Sequence, residues 1–168
     1  QAVELLGGPR PRGSLGWARA LAAGLGRHLL LRLCPWLSRR AGGADERARI
    51  AELCVSYARL GYVYFFLDPR GLLLCALRGL ALAERLGPSL ELCGVCSGAG
   101  LIYSTLAFFR SGLHYGERAL RMSEGLNSVW HKANARSFLG HSFFYAGRWS
   151  EALTHLGPAR KLSLTCGH

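Results

Sequence analysis

The chain has 168 residues, half of them hydrophobic, which suits one ordinary folded domain and excludes global disorder. Its 21 Lys and Arg outweigh 10 Asp and Glu, leaving a formal charge of +11 carried almost wholly by arginine. The arginines are spread along the chain with no run of five, the pattern of solvated helix faces rather than of a dedicated anion-binding tract. A first residue of Gln rather than Met reads as a piece of a longer protein or a processed chain.

Taken in order, the hydrophobic period is helical almost throughout, and no segment alternates with a period of two. The fold class expected is therefore all-α. A basic helix free of acids is predicted from Ser14, as N-cap, to Cys34, stopped by Pro35. Its composition is that of a transit peptide or a membrane-surface helix. A short hinge, SRRAGGAD (38–45), follows. The second helix starts near Asp45, carries Ile50, Leu53, Tyr57, Leu60 and Tyr64 on one stripe, and breaks at Asp68-Pro69. A third is predicted over about Leu72 to Leu86, before Gly87-Pro88. Ser89 caps a fourth that reaches Ser111, with Gly112 as its stop. The fifth runs to Leu126 and Asn127, Ser128 caps a sixth ending at Gly147, and a seventh begins at Arg148. The uncharged run from Leu92 to Phe109 just reaches membrane-spanning length, with Gly94 and Gly98 at GxxxG spacing. Its serines, Thr105 and three glycines fit a repeat unit better than a span.

One phrase recurs: YVYFFLDPRGLLLCALRGL (62–80), LAFFRSGLHYGERAL (106–120) and HSFFYAGRWSEAL (141–153). In each, aromatics end one helix, a turn follows, and an Ala-Leu helix begins. Tyr64 and Phe143 lie 79 residues apart with Phe108 between them, and ALAERLG and RMSEGLN fall 40 apart. Units of about 40 residues follow, with bounds near 45–88, 89–127 and 128–168, after a basic N-terminal helix and hinge over 1–44. One such helical pair cannot cover its own apolar face, and stacking successive pairs does so.

The last unit resembles a tetratricopeptide repeat, through Leu139, Gly140, Phe143, Gly147, Trp149, Ala152, Leu156 and Ala159. The first repeats Leu60, Gly61 and Tyr64, whereas the middle one places Thr105 at the small position and has a longer elbow. The resemblance implies a right-handed superhelix, or solenoid, of antiparallel helix pairs in which these residues pack the hairpins. The chain is also similar, over about residues 25–168, to the helical arm of large bacterial-type signalling ATPases. The stretches that carry this are ARLGYVYFF, ALRGLALAERLGPSLEL, FFRSGLHYGERAL and GHSFFYAGRWSEAL. In that family tetratricopeptide-like repeats follow a nucleotide-switch ATPase and precede a histidine kinase or nucleotide cyclase output domain. Gly157-Pro158 departs from the pattern, inside what should be the last helix.

Motifs for chemistry are sparse. The sequence has no GxxxxGK[ST] phosphate loop, and Gly140-His141-Ser142 lacks the second glycine and the strand of a nucleophile elbow. Cys93 and Cys96 form a lone CxxC inside a helix, where structural thiols are expected rather than zinc or redox chemistry. The histidines show no ligand pair, and Trp130, Tyr145 and Trp149 read as repeat packing. No catalytic residue, metal ligand or cofactor is assigned, and any catalytic domain is expected outside this chain. The reading is a non-catalytic, cytoplasmic scaffold with reduced thiols that binds protein or peptide segments, within or outside its own polypeptide. Arg110, Arg136 and Tyr103 are the candidate partner-binding residues, the arginines pairing with acidic groups in a groove lined by first helices. A basic module docking on nucleic acid or an anionic membrane is the alternative.

Overall fold

A computed structural model describes residues 11–34 and 40–166. Among them are seven α-helices and one 3-10 turn, with no strand. In chain order the helices are α1 (Gly13–Leu33), α2 (Ala44–Leu67), α3 (Pro69–Ala83), α4 (Leu90–Thr105), α5 (Phe109–Gly125), α6 (Val129–Tyr145) and α7 (Trp149–Thr165), with the 3-10 turn at Glu84–Leu86. The chain divides between Leu86 and Gly87 into two compact units. Pro35 and the start of the expected hinge lie outside the described residues.

In the first unit α3 packs against both α1 and α2. It is buried nearly all round, through Leu72, Leu74, Leu77 and Leu80 among others, as a helix between two neighbours must be. It begins three residues earlier than its periodicity suggests. Asp68 accepts from the Arg70 amide at 3.0 Å, and Pro69 occupies the first helical position, where its missing N–H costs nothing. The apolar stripe of α2 centres on Ile50, Cys54, Tyr57 and Gly61, all buried, so Leu53 and Leu60 sit at its edge. Tyr64 turns onto Gly71, where a Cβ would lie within 2.8 Å of its ring. The Arg47 guanidinium donates to the Leu86 carbonyl, and Glu46 pairs with Arg85, fastening the start of α2 to the end of α3. Helix α1 starts at Gly13, so Ser14 lies inside it and does not cap it.

The second unit is two hairpins, α4/α5 and α6/α7, with α6 packed against both helices of the first pair. Corresponding contacts recur 40 residues apart. Tyr103 stacks on Tyr115 with centroids 5.8 Å apart, and Phe143 stacks on His155 at 5.3 Å. Gly100 faces Gly112 at one crossing, and Gly140 faces Ala152 at the other. Thus the inward aromatic of the first pair is Tyr103 rather than Phe108, and the small position on its first helix is Gly100 rather than Thr105. Nor does α4 run to Ser111; it ends at Thr105, and Gly112 lies buried inside α5.

The elbows explain that difference. Helices end at Thr105, Gly125 and Tyr145 and restart at Phe109, Val129 and Trp149. Each three-residue turn holds one left-handed residue, Ala107 (φ 63), Asn127 (φ 47) or Gly147 (φ 73). At the last turn the Arg148 amide donates to the Phe143 carbonyl at 2.9 Å, and the Gly147 amide donates to Phe144 at 3.0 Å. The Phe108 and Ala107 amides make the same pair of bonds to Tyr103 and Ser104, a Schellman closure at both sites. An alanine stands at the first where glycine is favoured. Ala107→Gly is expected to raise stability by about 0.5–1 kcal/mol, the relief of left-handed strain minus the added chain entropy. Denaturant melts measure it, and a loss of stability would contradict the turn.

Helix α7 continues through Pro158 to Thr165. Pro158 is exposed, and Gly157 before it presents no Cβ to the proline ring, which removes one of the two clashes that usually end a helix there.

Candidate functional site

The inward directions of Leu139, Gly140 and Phe143 fix the rest of α6. At about 100° per residue, Trp130, Asn134, Ser137, His141 and Phe144 fall on one outward stripe, with Tyr145 beside it. Trp130 is 47% exposed, Phe144 55% and Tyr145 44%, and His141 is exposed as well. The His141 Nδ1 lies 2.7 Å from the Ser137 carbonyl, which holds its ring along the helix. Beside the stripe is a cleft of about 120 Å³ lined by Trp130, Ala133, Asn134, Ser137, Ser163 and Cys166. One repeat earlier the same position holds Cys93, whose Sγ donates to the Ala119 carbonyl at 3.3 Å. Ala133 is smaller, and the space stays open.

The face therefore offers an aromatic wall, an amide with two donors and an acceptor, and serine hydroxyls. Such groups bind by stacking and directional hydrogen bonds. Charged side chains gather around His155 of α7. His155 feels the charges of Arg136, Glu117 and Glu151, and its pKa is lowered, first by burial and then by Arg136. Its Nδ1 is buried without a hydrogen-bond partner. His131, whose Nδ1 sits 2.8 Å from the Ser128 hydroxyl, is also lowered by burial, with Glu91 opposing. Arg148 pairs with Glu151 and lays its guanidinium over the Phe143 ring, 4.7 Å from the centroid.

Comparison of this chain with protein-family models, with curated proteins and with solved structures found no match. The residues alone carry the reading.

The three residues expected to bind a partner are not brought together on this face. Tyr103 is 5% exposed and belongs to the hairpin core, stacked on Tyr115 and edge-on to Phe108. Arg110 is the second residue of α5, on the second helix of its hairpin rather than the first. Arg136 is on α6 but half-buried and turned about a third of a revolution from the stripe, toward His155. Trp149 differs too, being 68% exposed at the start of α7. Arg148 occupies the position that closes over Phe143, and the next residue points away from it.

Leu139, Gly140, Phe143 and Ala152 converge in one cluster, with Leu113, Leu120 and Leu156 against it. Gly61 is buried opposite Cys75 and Leu72. Burial pushes the Cys93 thiol up to about 11, so it is held protonated, and Cys96 beside it is fully buried. Among the described residues no three His, Cys, Asp or Glu side chains converge on a point.

Proposed function

We propose that the chain is a tetratricopeptide-like scaffold, its hairpins continuing a right-handed superhelix, that holds a protein segment against the outer face of α6. The observation that carries this reading is the 40-residue recurrence of whole contact sets, Tyr103–Tyr115 with Gly100–Gly112 and then Phe143–His155 with Gly140–Ala152. Repeats that share packing in this way leave one face of each first helix for recognition. The occupant is an extended or helical peptide with an apolar side chain for the Trp130 cleft and a backbone amide for Asn134. On the motif resemblance, the scaffold is the cytoplasmic arm of a multidomain signalling ATPase, and the occupant a segment of that polypeptide or of its partner.

A random twelve-residue peptide library displayed on phage tests the reading against the full chain. Enriched peptides are expected to lose affinity about tenfold or more on Asn134→Ala combined with Trp130→Ala, the cost of one buried aromatic and one hydrogen bond. Both positions are at least partly exposed, so the thermal melt should hold. Peptides that bind the double variant as tightly as the native chain would overturn this placement.

A further inference from the structure

The elbow end of the first unit carries an apolar surface that the groove reading does not use. The last six residues of α2 are Tyr62-Val63-Tyr64-Phe65-Phe66-Leu67. All but Tyr64 are exposed, Tyr62, Phe66 and Leu67 by 71%, 70% and 74%. At about 100° per residue those five side chains fan over about 200° of the helix, wider than one stripe, while Tyr64 closes the remaining side onto Gly71. A protein groove covers a stripe of about 100°, whereas an apolar arc about twice as wide is matched by a medium without direction. By length and composition α2 is apolar enough to cross a membrane, with only 22% of its most apolar stretch buried. It does not read as a span, because Glu52 and Arg59 interrupt it and Tyr57 and Gly61 pack it onto α3.

Among the described residues the charges around this end are mostly basic. Helix α1 starts here, since Pro11 and Trp17 share a small cavity with Tyr64 and Gly71. Its exposed Leu15 and Arg12 extend the patch, and α1 holds no acidic residue at all. Arg59 is exposed on the Tyr62–Phe66 side of α2, one to two turns behind them. Arg70 lies across the elbow with its guanidinium 5.6 Å from the Trp17 ring centroid. The nearby acid, Asp68, is already paired with Arg70 at 3.2 Å.

We propose that this elbow docks the protein on an anionic lipid surface, with Phe66 and Leu67 entering the acyl boundary and Arg12, Arg59 and Arg70 meeting the headgroup phosphates. Arginine stems lie along the apolar tip while their guanidinium groups stay at headgroup depth. Two signals act together, an apolar anchor and a basic rim, as reversible membrane association needs.

The test is co-sedimentation of the full chain with vesicles of phosphatidylcholine containing about a third phosphatidylserine, against phosphatidylcholine alone. The native chain is expected to bind the anionic vesicles about tenfold or more tightly. Phe66→Glu with Leu67→Glu should lower that partition by about tenfold or more, and Arg12→Glu with Arg59→Glu should remove the preference for phosphatidylserine. Leu67→Glu alone, with an unchanged circular dichroism melt, covers the case in which the double variant misfolds. No binding to anionic vesicles at low salt would overturn the proposal. Binding that Leu67→Glu leaves intact would overturn it too. So would a Leu67→Glu effect confined to self-association, which would make the tip a protein face.

Discussion

Leu139→Ala is expected to cost about 2–5 kcal/mol, near the top of that range. The side chain is 1% exposed and sits where the first hairpin of the second unit hands over to the next. Leu113 and Leu120 of α5 pack against its cluster, with Phe143, Ala152 and Leu156 on the other side. A Cβ built on Gly116 would approach Leu139 to 2.9 Å at Cδ1 and 3.3 Å at Cβ, so the leucine occupies the space that glycine vacates. Truncation removes the side chain that fills the crossing on Gly116, and close-packed helices collapse only partly into the void. Because neighbouring repeats hold each other through such seams, loss of this one should also broaden the transition, as α6/α7 melts ahead of α4/α5. Leu153→Ala serves as control, since Leu153 is 71% exposed and its loss should stay within about 0.5 kcal/mol. Urea titrations followed by circular dichroism compare the two. Equal losses would place the seam elsewhere.

Much of the helical layout is legible in the sequence because caps are local chemistry. Ser89 accepts from Leu92 and Ser128 from His131 as their positions suggest, and Asp68-Pro69 separates α2 from α3. Glycine is where the reading fails, for glycine stops helices and also lets them cross. Gly112 looks like a stop after SerArgPhe-rich sequence, yet its service is to a crossing, and the left-handed position falls on Ala107, which no propensity marks. That error displaced the middle repeat by about five residues and turned Tyr103 into an apparent surface residue. Counting back 40 from Phe143 would have found it. The face of α6 was equally within reach, since Asn134, Ser137 and His141 lie opposite Leu139 and Phe143 on a helical wheel. What the wheel lacks is depth: that Arg136 is half-buried beside His155 and Trp149 stands clear of the core depends on where α5 and α7 lie. The apolar end of α2 shows the same limit. Its composition is plain, but the width of its exposed arc is a fact of packing.

Gly112→Ala is expected to destabilise the protein by about 1–3 kcal/mol, although alanine is the better helix former by about 1 kcal/mol. A Cβ there would overlap the Ser104 hydroxyl oxygen and come within 2.8 Å of the Gly100 carbonyl oxygen and 3.1 Å of the Ser104 amide nitrogen. Ser104 can rotate only by giving up its bond to the same Gly100 carbonyl, 2.9 Å away. The remaining obstacles are backbone, so α4 and α5 must separate. The second hairpin shows how far that can go, since Ala152 is accommodated against Gly140 40 residues on, and this relaxation keeps the cost finite. Gly94 and Gly98 supply the contrast. They have the spacing of a helix–helix seam, yet a Cβ at either meets nothing within 4 Å. Gly98→Ala should therefore stabilise by up to about 1 kcal/mol through helix propensity alone. The two substitutions are chemically identical, lie in neighbouring helices and carry opposite expected signs, so global artefacts cancel in the comparison. Thermal and urea melts of both variants decide it. If Gly98→Ala is the damaging change and Gly112→Ala is neutral, α4 meets α5 on its other face, and the 40-residue register of the hairpins fails with it.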